Sequence, residues 1–362
     1  MTTRQHFTLA DGRDIFYFDL KPGQDRSAPD TRELPETATS SQIRWDPLFS
    51  EWAVVAGHRQ SRTYKPPAEL CPLDPTRDAN NPTEIPAPDY DVVVFENRFP
   101  SLTTDAAASF PDIHEFPFRS GPGAGRCEVV CFTSDHDTSF AQLDSAHART
   151  VFDALADRTA ELSTIESIAY VFCFENRGEE IGVTLSHPHG QIYGYPFVPP
   201  RMRNAAETAA AYERDHGACL RCELLQREID VAERIVVRTE HWTALVPFAA
   251  RWPYEVRIIA NRHVPDLPAL NDAERDDLAE IYLDVLRRFD GLFDTPAPYI
   301  AGWHQAPIRE FRDSWHLGAE IFTIRRAPGK LKYLAGSESG AAVWINDVSP
   351  EIAAARLRGE PV

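Results

Sequence analysis

Ser186-His187-Pro188-His189-Gly190-Gln191 and Trp315-His316-Leu317-Gly318-Ala319-Glu320 are the two stretches that decide the fold. In an extended chain side chains alternate between faces, so His187, His189 and Gln191 would share one face. Two imidazoles and an amide converging on one point could ligate a metal, attack an electrophile or hold a phosphate. A lone His-x-His is often just a solvated strand end, but here the surrounding pattern recurs.

Working outward, the same series leads to each stretch: Cys-x-x-(Cys or Asp), strands, a strand ending near a His, a helix, and a strand carrying His. His136 precedes His187 by 51 residues, and His263 precedes His316 by 53. Cys71 lies 65 residues before His136, against 44 from Cys219 to His263, and the excess of 21 matches an irregular stretch at 103–125. The chain is therefore an internal duplication, which has to be found first because missing it misreads the fold. The expected class is α+β, a duplicated domain of antiparallel sheets flanked by helices. Its parts are an N-terminal hairpin and linker at 1–42, a first repeat at 43–200 and a second at 201–362.

Local patterns supply the elements. Residues 7–19 read as a hairpin turning at Asp11-Gly12. Residues 21–41, rich in Pro, Ser, Thr and Asp, read as a mobile linker. Strands are expected at 52–56 (short and buried), 90–96, 127–132 and 165–174, with a helix from 143 to 162 capped by Asp144 or Ser145. Cys127 and Cys131 fall on one strand face as small core residues. Residues 202–216 form an Ala-rich connecting helix. In the second repeat, strands are expected at 235–237, 242–246, 255–259, 299–303 and 315–322, with a helix from 272 to 289.

Bulk composition sets limits. The 362 residues are 43% hydrophobic and 25% charged, which suits a globular protein of about two domains. A net charge of −18 without a Lys/Arg run argues against a nucleic-acid partner. No apolar run is long enough to span a membrane, and the start lacks the pattern of a signal peptide. Six cysteines fit a reducing cytoplasm better than a disulfide scaffold.

Aligning the repeats places His187 over His316, His189 over Gly318 and Gln191 over Glu320. The retained His belongs to the framework and the lost one to the chemistry. Cys219, Cys222, His263 and His316 are the thiolates and imidazoles of a tetrahedral zinc site. The first copy offers Cys71, Asp74, His136 and His187, where a carboxylate replaces one thiolate and binds zinc more weakly. Zinc is expected at the second cluster and left open at the first. His189 is then the nucleophile, since a neutral imidazole attacks phosphorus and the N–P bond formed is labile. Gln191 would donate to a phosphate oxygen, and Gly182 and Gly190 would let the backbone approach it.

His187-Pro188-His189-Gly190-Gln191 resembles the signature of galactose-1-phosphate uridylyltransferases, the transferase branch of the histidine-triad superfamily. The resemblance runs from about Ile43 to Leu357. It implies a ping-pong exchange of UMP between UDP-glucose and galactose 1-phosphate through a uridylyl-His189 intermediate. It also implies substrate contacts from Arg59, Arg62, Asn97, Arg98, Asn176, Gly182, Val183, Thr184 and Gln191. Lys332, Tyr333, Ser337 and Glu338 match the segment that reaches a sugar phosphate across a homodimer interface. The sequence departs from better-known members at Arg98, where they carry a small acid, and at Ser337, where they carry Tyr. Members that bind iron use a His-x-His aligned with Gly318 and Glu320, so no iron is expected. The intact second-copy cysteines resemble the two-zinc branch, which includes ADP-sugar phosphorylases. That leaves an adenylyl transferase with the same nucleophile as one alternative, and a non-catalytic zinc-stabilised nucleotide-binding module as another.

Overall fold

The computed structural model describes residues 2–35, 41–61, 66–104, 106, 113–293 and 295–361. In chain order the strands are β1 (Thr3–Thr8), β2 (Asp14–Asp19), β3 (Gln42–Asp46), β4 (Glu51–Val55), β5 (Val92–Glu96), β6 (Ser120–Pro122) and β7 (Arg126–Cys131). Helix α1 (Ser145–Leu162) is followed by β8 (Tyr170–Arg177) and β9 (His189–Tyr195). Helices α2 (Pro200–His216) and α3 (Leu220–Val231) lead to β10 (Ile235–Arg238), β11 (Trp242–Leu245) and β12 (Tyr254–Ala260). Then come α4 (Asp272–Asp290), β13 (Tyr299–His304) and β14 (Gly318–Thr323).

The duplication is written into one antiparallel sheet of eleven strands, in the order β1-β2-β5-β7-β9-β8-β13-β14-β12-β11-β10. Its halves, β5-β7-β9-β8 and β13-β14-β12-β11, run in mirrored order and meet where β8 pairs with β13, Tyr299 opposite Arg177 and Gly302 opposite Phe174. The sheet is therefore continuous across the two repeats. Helices α1 and α4 cover one face, with Phe152 packed edge-on to Tyr282 (5.3 Å) and Trp303 (5.7 Å). Each helix starts as its sequence predicts. Asp144 accepts from the His147 amide, and Asn271 and Glu274 form a reciprocal capping box.

The N-terminal hairpin forms as read and extends the sheet edge through β2–β5 pairing. Over residues 21–35 the stretch after it is tied to the fold, where a mobile linker was expected; 36–40 lie outside the described residues. Arg26 donates to Asp19 at 2.9 and 2.7 Å, and Arg32 pairs with Asp30 and Glu84, each at 2.8 Å. Charged side chains that composition reads as solvated thus pin the chain down.

Two further expectations are corrected. β4 is not buried but alternates between exposed and half-buried residues in a separate sheet, β4-β3-β6. Its Trp52 and Val54 pack on a small cluster of Ile43, Leu102 and Cys127, with Trp52 also against Trp45 and Arg119. Helix α3 lies where no element was expected, because only Leu225 along it is fully buried and an apolar stripe is therefore missing.

Candidate active site and metal clusters

β9 begins at His189, so His187 stands before the strand and the shared face holds His189 and Gln191 only. His189 lies opposite Cys131 of β7, and Gln191 opposite Val129 of β7 and Phe174 of β8. His187 is buried below them, and the Phe132 amide bonds the Pro188 carbonyl at the turn between the two imidazoles. The division into framework and reacting histidines is thus a matter of backbone geometry.

The His189 Nδ1–H donates to the His187 carbonyl at 2.7 Å, which fixes the tautomer with its lone pair on Nε2. Two cavities meet at His189, Thr184 and Leu185. The larger, about 300 Å³, is lined by Asn176, Arg177, Val183 and Ser186 among others. The smaller, about 160 Å³, is lined by Asn97, Arg98, Phe99 and Gln191 among others. His189, the candidate nucleophile, therefore stands between a Phe-walled pocket and a polar loop.

Other predicted residues are placed differently. Gly182 takes φ +86 at the end of a 3-10 turn, Glu179–Ile181, a conformation that favours glycine, and passes the chain on to Val183. Gly190 owes its identity to close packing: a Cβ there would lie 2.8 Å from the Phe174 carbonyl oxygen and 2.9 Å from the Phe132 ring. Arg98 leans over Phe99 (5.6 Å) with Nη1 3.6 Å from Glu84. Arg59, on a 3-10 turn (Gly57–Ser61), bonds Ser101 and lines neither cavity. Arg62 lies outside the described residues. Lys332, Tyr333, Ser337 and Glu338 also line neither cavity. Lys332 is buried against Glu338 at 2.9 Å, Ser337 donates to the Val343 carbonyl, and Tyr333 is 72% exposed.

Both expected metal clusters assemble. Ligand atoms of Cys219, Cys222, His263 and His316 lie within 4.8 Å of one another, as do those of Cys71, Asp74, His136 and His187. Cys219 caps α3 and Cys222 sits one turn in, so the helix that the sequence reading missed presents both sulfurs together. The Cys222 Sγ is 3.2 Å from His316 Nδ1 and 3.6 Å from His263 Nδ1. Tetrahedral zinc holds sulfur and nitrogen ligands about 3.6 Å apart, so this donor set fits the ion in chemistry and spacing. In the first cluster one Asp74 oxygen lies 2.9 Å from His136 Nδ1 and 2.8 Å from His187 Nδ1. Zinc would separate such ligands by about 3.3 Å, so the set is drawn closer than the ion would hold it, though its chemistry still suits the metal.

The residues behind the ligands were not foreseen. His187 Nε2 donates to the Thr133 carbonyl and His316 Nε2 to the Ala260 carbonyl, both at 2.8 Å, aiming each Nδ1 at its cluster. Thr133 and Ala260 each stand three residues before the cluster's other His, a repeat signal present in the sequence. Tyr90, 2.8 Å from His187 Nε2, has no such signal. Burial pushes the His187 pKa down and that of His316 to about 3, keeping both neutral as metal ligands must be.

The second repeat's counterpart site is filled from within. Arg221 donates to the His316 carbonyl, the acceptor equivalent to the one His189 uses, and its Nη1 lies 3.0 Å from where a Gly318 Cβ would be. Arg201 clamps Glu320 through two bonds of 2.7 and 2.6 Å.

A duplicated antiparallel fold with one open and one filled half defines a histidine-triad-like protein. Family models described as "Galactose-1-phosphate uridyl transferase, N-terminal domain" and "C-terminal domain" match residues 31–199 and 205–359. The chain belongs to the galactose-1-phosphate uridylyltransferase family, a family of transferases. It is 45% identical to the galactose-1-phosphate uridylyltransferase of Streptomyces lividans, over 97% of this chain and 96% of that one. A solved uridylyltransferase structure superposes with TM-score 0.79 at 34% identity, covering 88% of this chain and 97% of the other. An ADP-glucose phosphorylase from Arabidopsis thaliana, solved with bound ADP-glucose, shares the fold at TM-score 0.67 and 23% identity, over 89% and 100% of the two chains.

Proposed function

We propose that the chain exchanges UMP between UDP-glucose and galactose 1-phosphate, with His189 as the nucleophile. One observation carries this reading: the Nδ1–H of His189 is bound to the His187 carbonyl at the junction of the two cavities. His189 Nε2 attacks the α-phosphorus of UDP-glucose as the bond to the bridging oxygen breaks, and glucose 1-phosphate leaves with that electron pair. The uridylylated imidazole is cationic, and its Nδ1–H stays on the His187 carbonyl. An oxygen of galactose 1-phosphate then attacks phosphorus, the N–P bond breaks, and UDP-galactose departs with His189 neutral again. Gln191 donates an amide N–H to a non-bridging oxygen, a contact worth about 2.7–4 kcal/mol of barrier.

The smaller cavity, with Asn97, Arg98 and Phe99, suits the nucleoside. The larger, with Asn176, Val183 and Thr184, suits the phosphates and leaving sugar. The first repeat, 43–200, is the catalytic unit and the second, 201–362, its scaffold. Zinc at Cys219, Cys222, His263 and His316 clamps α3 to the sheet and does no chemistry on substrate, and the first cluster steadies the base of β9 with or without metal. Arg59 and Arg62 are substrate-binding residues, and Lys332, Tyr333, Ser337 and Glu338 serve across a homodimer interface, for which the exposed Tyr333, Leu334, Val343 and Ile345 are suited. Six unbridged thiols fit a cytoplasmic setting, and among the described residues no helix is long and apolar enough to cross a membrane.

The test is single-turnover release of glucose 1-phosphate from UDP-glucose without acceptor. Stoichiometric release with a UMP adduct on His189, lost in His189→Gly, is the expected result; no adduct refutes it. Faster adduct formation from ADP-glucose would transfer the reading to adenylyl chemistry.

A further inference from the structure

Glu175 is a buried acid paired directly with the strand that carries His189, and the proposed exchange gives it no role. It sits on β8 directly opposite Gly190, between the positions of His189 and Gln191, and is 6% exposed. Its Oε1 accepts from the Tyr299 hydroxyl at 2.8 Å, while its Oε2 has no hydrogen-bond partner among the described residues. It lines the floor of the cavity that holds His189 and Asn176. It also borders a small void of about 20 Å³ walled by Phe132, Phe152, Phe174, Tyr282 and Trp303.

We propose that Glu175 is a positioning residue whose proton keeps the floor beneath His189, Gly190 and Gln191 uncharged, so that its ionisation slows transfer at alkaline pH. The inference rests on the reading of His189 as nucleophile.

The surroundings of the carboxyl favour the neutral acid. Tyr299 from β13 donates to it, and Tyr282 from α4 faces it without a charge. Arg177 on its own strand is held by Asp290 at 2.7 Å, so its charge is largely spent, and α1 and β7 contribute only Phe152, Leu155 and Val130. Burial accordingly outweighs the Tyr299 hydrogen bond and lifts the Glu175 pKa to about 7. With Oε1 already accepting from Tyr299, Oε2 is the atom that carries the proton.

A carboxylate there would oppose the negative charge that the diphosphate carries to the still neutral His189, and so lower the rate of reaction from free enzyme and substrate. Cross-strand neighbours hold their Cβ atoms about 5 Å apart, which places the carboxyl within roughly 10 Å of the reacting atom. At the effective dielectric of protein sites, a unit charge at that distance slows formation of an anionic transition state about tenfold to twentyfold. The second repeat, which lacks the nucleophile, has Trp303 opposite Ala319, so the acid belongs to the working half alone.

The experiment is the pH dependence, from 6 to 9, of single-turnover glucose 1-phosphate release from UDP-glucose, for the wild-type protein, Glu175→Gln and Tyr299→Phe. In the wild type the rate falls about tenfold with a midpoint at or above 7. Glu175→Gln, permanently neutral and of the same shape, stays level through that range. Tyr299→Phe removes the donor that favours ionisation and moves the midpoint upward. A Gln variant that keeps the wild-type alkaline limb, or a midpoint unmoved in Tyr299→Phe, overturns the assignment. No UMP adduct on wild-type His189 at any pH overturns the nucleophile reading itself, and this inference with it.

Discussion

Gly190→Ala adds one methyl group at a place where the structure leaves no room for it. The new carbon would stand 2.8 Å from the Phe174 carbonyl oxygen, 2.9 Å from the Phe132 ring and 3.2 Å from a Val130 methyl. Ordinary contact begins at 3.4 Å, so the shortfall is about half an ångström on two sides, and the nearest atom is backbone that cannot rotate away. β8 and β9 have to separate by a similar amount. Overpacking of this kind costs about 1–3 kcal/mol of stability. A displacement of 1 Å at a reacting group costs about a hundredfold in rate, so half of that predicts roughly a tenfold slower burst. The assay is single-turnover glucose 1-phosphate release alongside a denaturant melt. The control is Ala319→Gly at the equivalent position of the second repeat, where the strands already accommodate a methyl and the burst should not change. A Gly190→Ala variant with wild-type burst and melt would refute the argument that strand packing holds the nucleophile in place.

Three further outcomes follow from other parts of the molecule. Cys222→Ala should lower bound zinc by one equivalent and the thermal midpoint with it, as measured by metal analysis and calorimetry, whereas Asp74→Ala should leave that equivalent in place; unchanged zinc in the cysteine variant would remove the ion from the second cluster. Arg158 and Glu128, both buried, share bonds of 2.9 and 2.8 Å, with the Phe16 ring 3.9 Å from the guanidinium. Arg158→Met leaves the buried carboxylate only its 3.2 Å bond from Arg126 and should cost about 3 kcal/mol of unfolding free energy by urea titration. Glu175 has a folded pKa of about 7 against 4.5 for the ordinary side chain, so between these values the folded state binds more protons and stability falls as pH rises. Relative to Glu175→Gln, the wild type should therefore lose about 3 kcal/mol between pH 4 and pH 8, and parallel pH–stability curves would contradict the shift.

The extent to which the site was legible can be followed residue by residue. The duplication, the two ligand sets and the split between His187 and His189 all follow from residue types at matched spacings, because a repeat preserves chemistry in sequence order. Helix α3 escaped because a helix with a single buried residue leaves no periodic trace, although it is the element that brings Cys219 and Cys222 together. β4 was misplaced for the opposite reason, since an apolar run does not say which surface it covers.

By itself the sequence determined the class of fold, the candidate nucleophile with its neighbouring amide and the eight metal-ligand candidates, since each depends on chemistry that a side chain carries wherever it lies. Only the tertiary structure decided that the halves form one sheet through β8 and β13, that Arg221 and Arg201 fill the second site, and that Glu175 lies beneath the first. Those facts arise from pairings between residues far apart in the chain: Tyr299 reaches Glu175 across 124 positions and Arg201 reaches Glu320 across 119. No local pattern encodes such distances, and burial, which sets the charge of Glu175, exists only once the two repeats have closed over it.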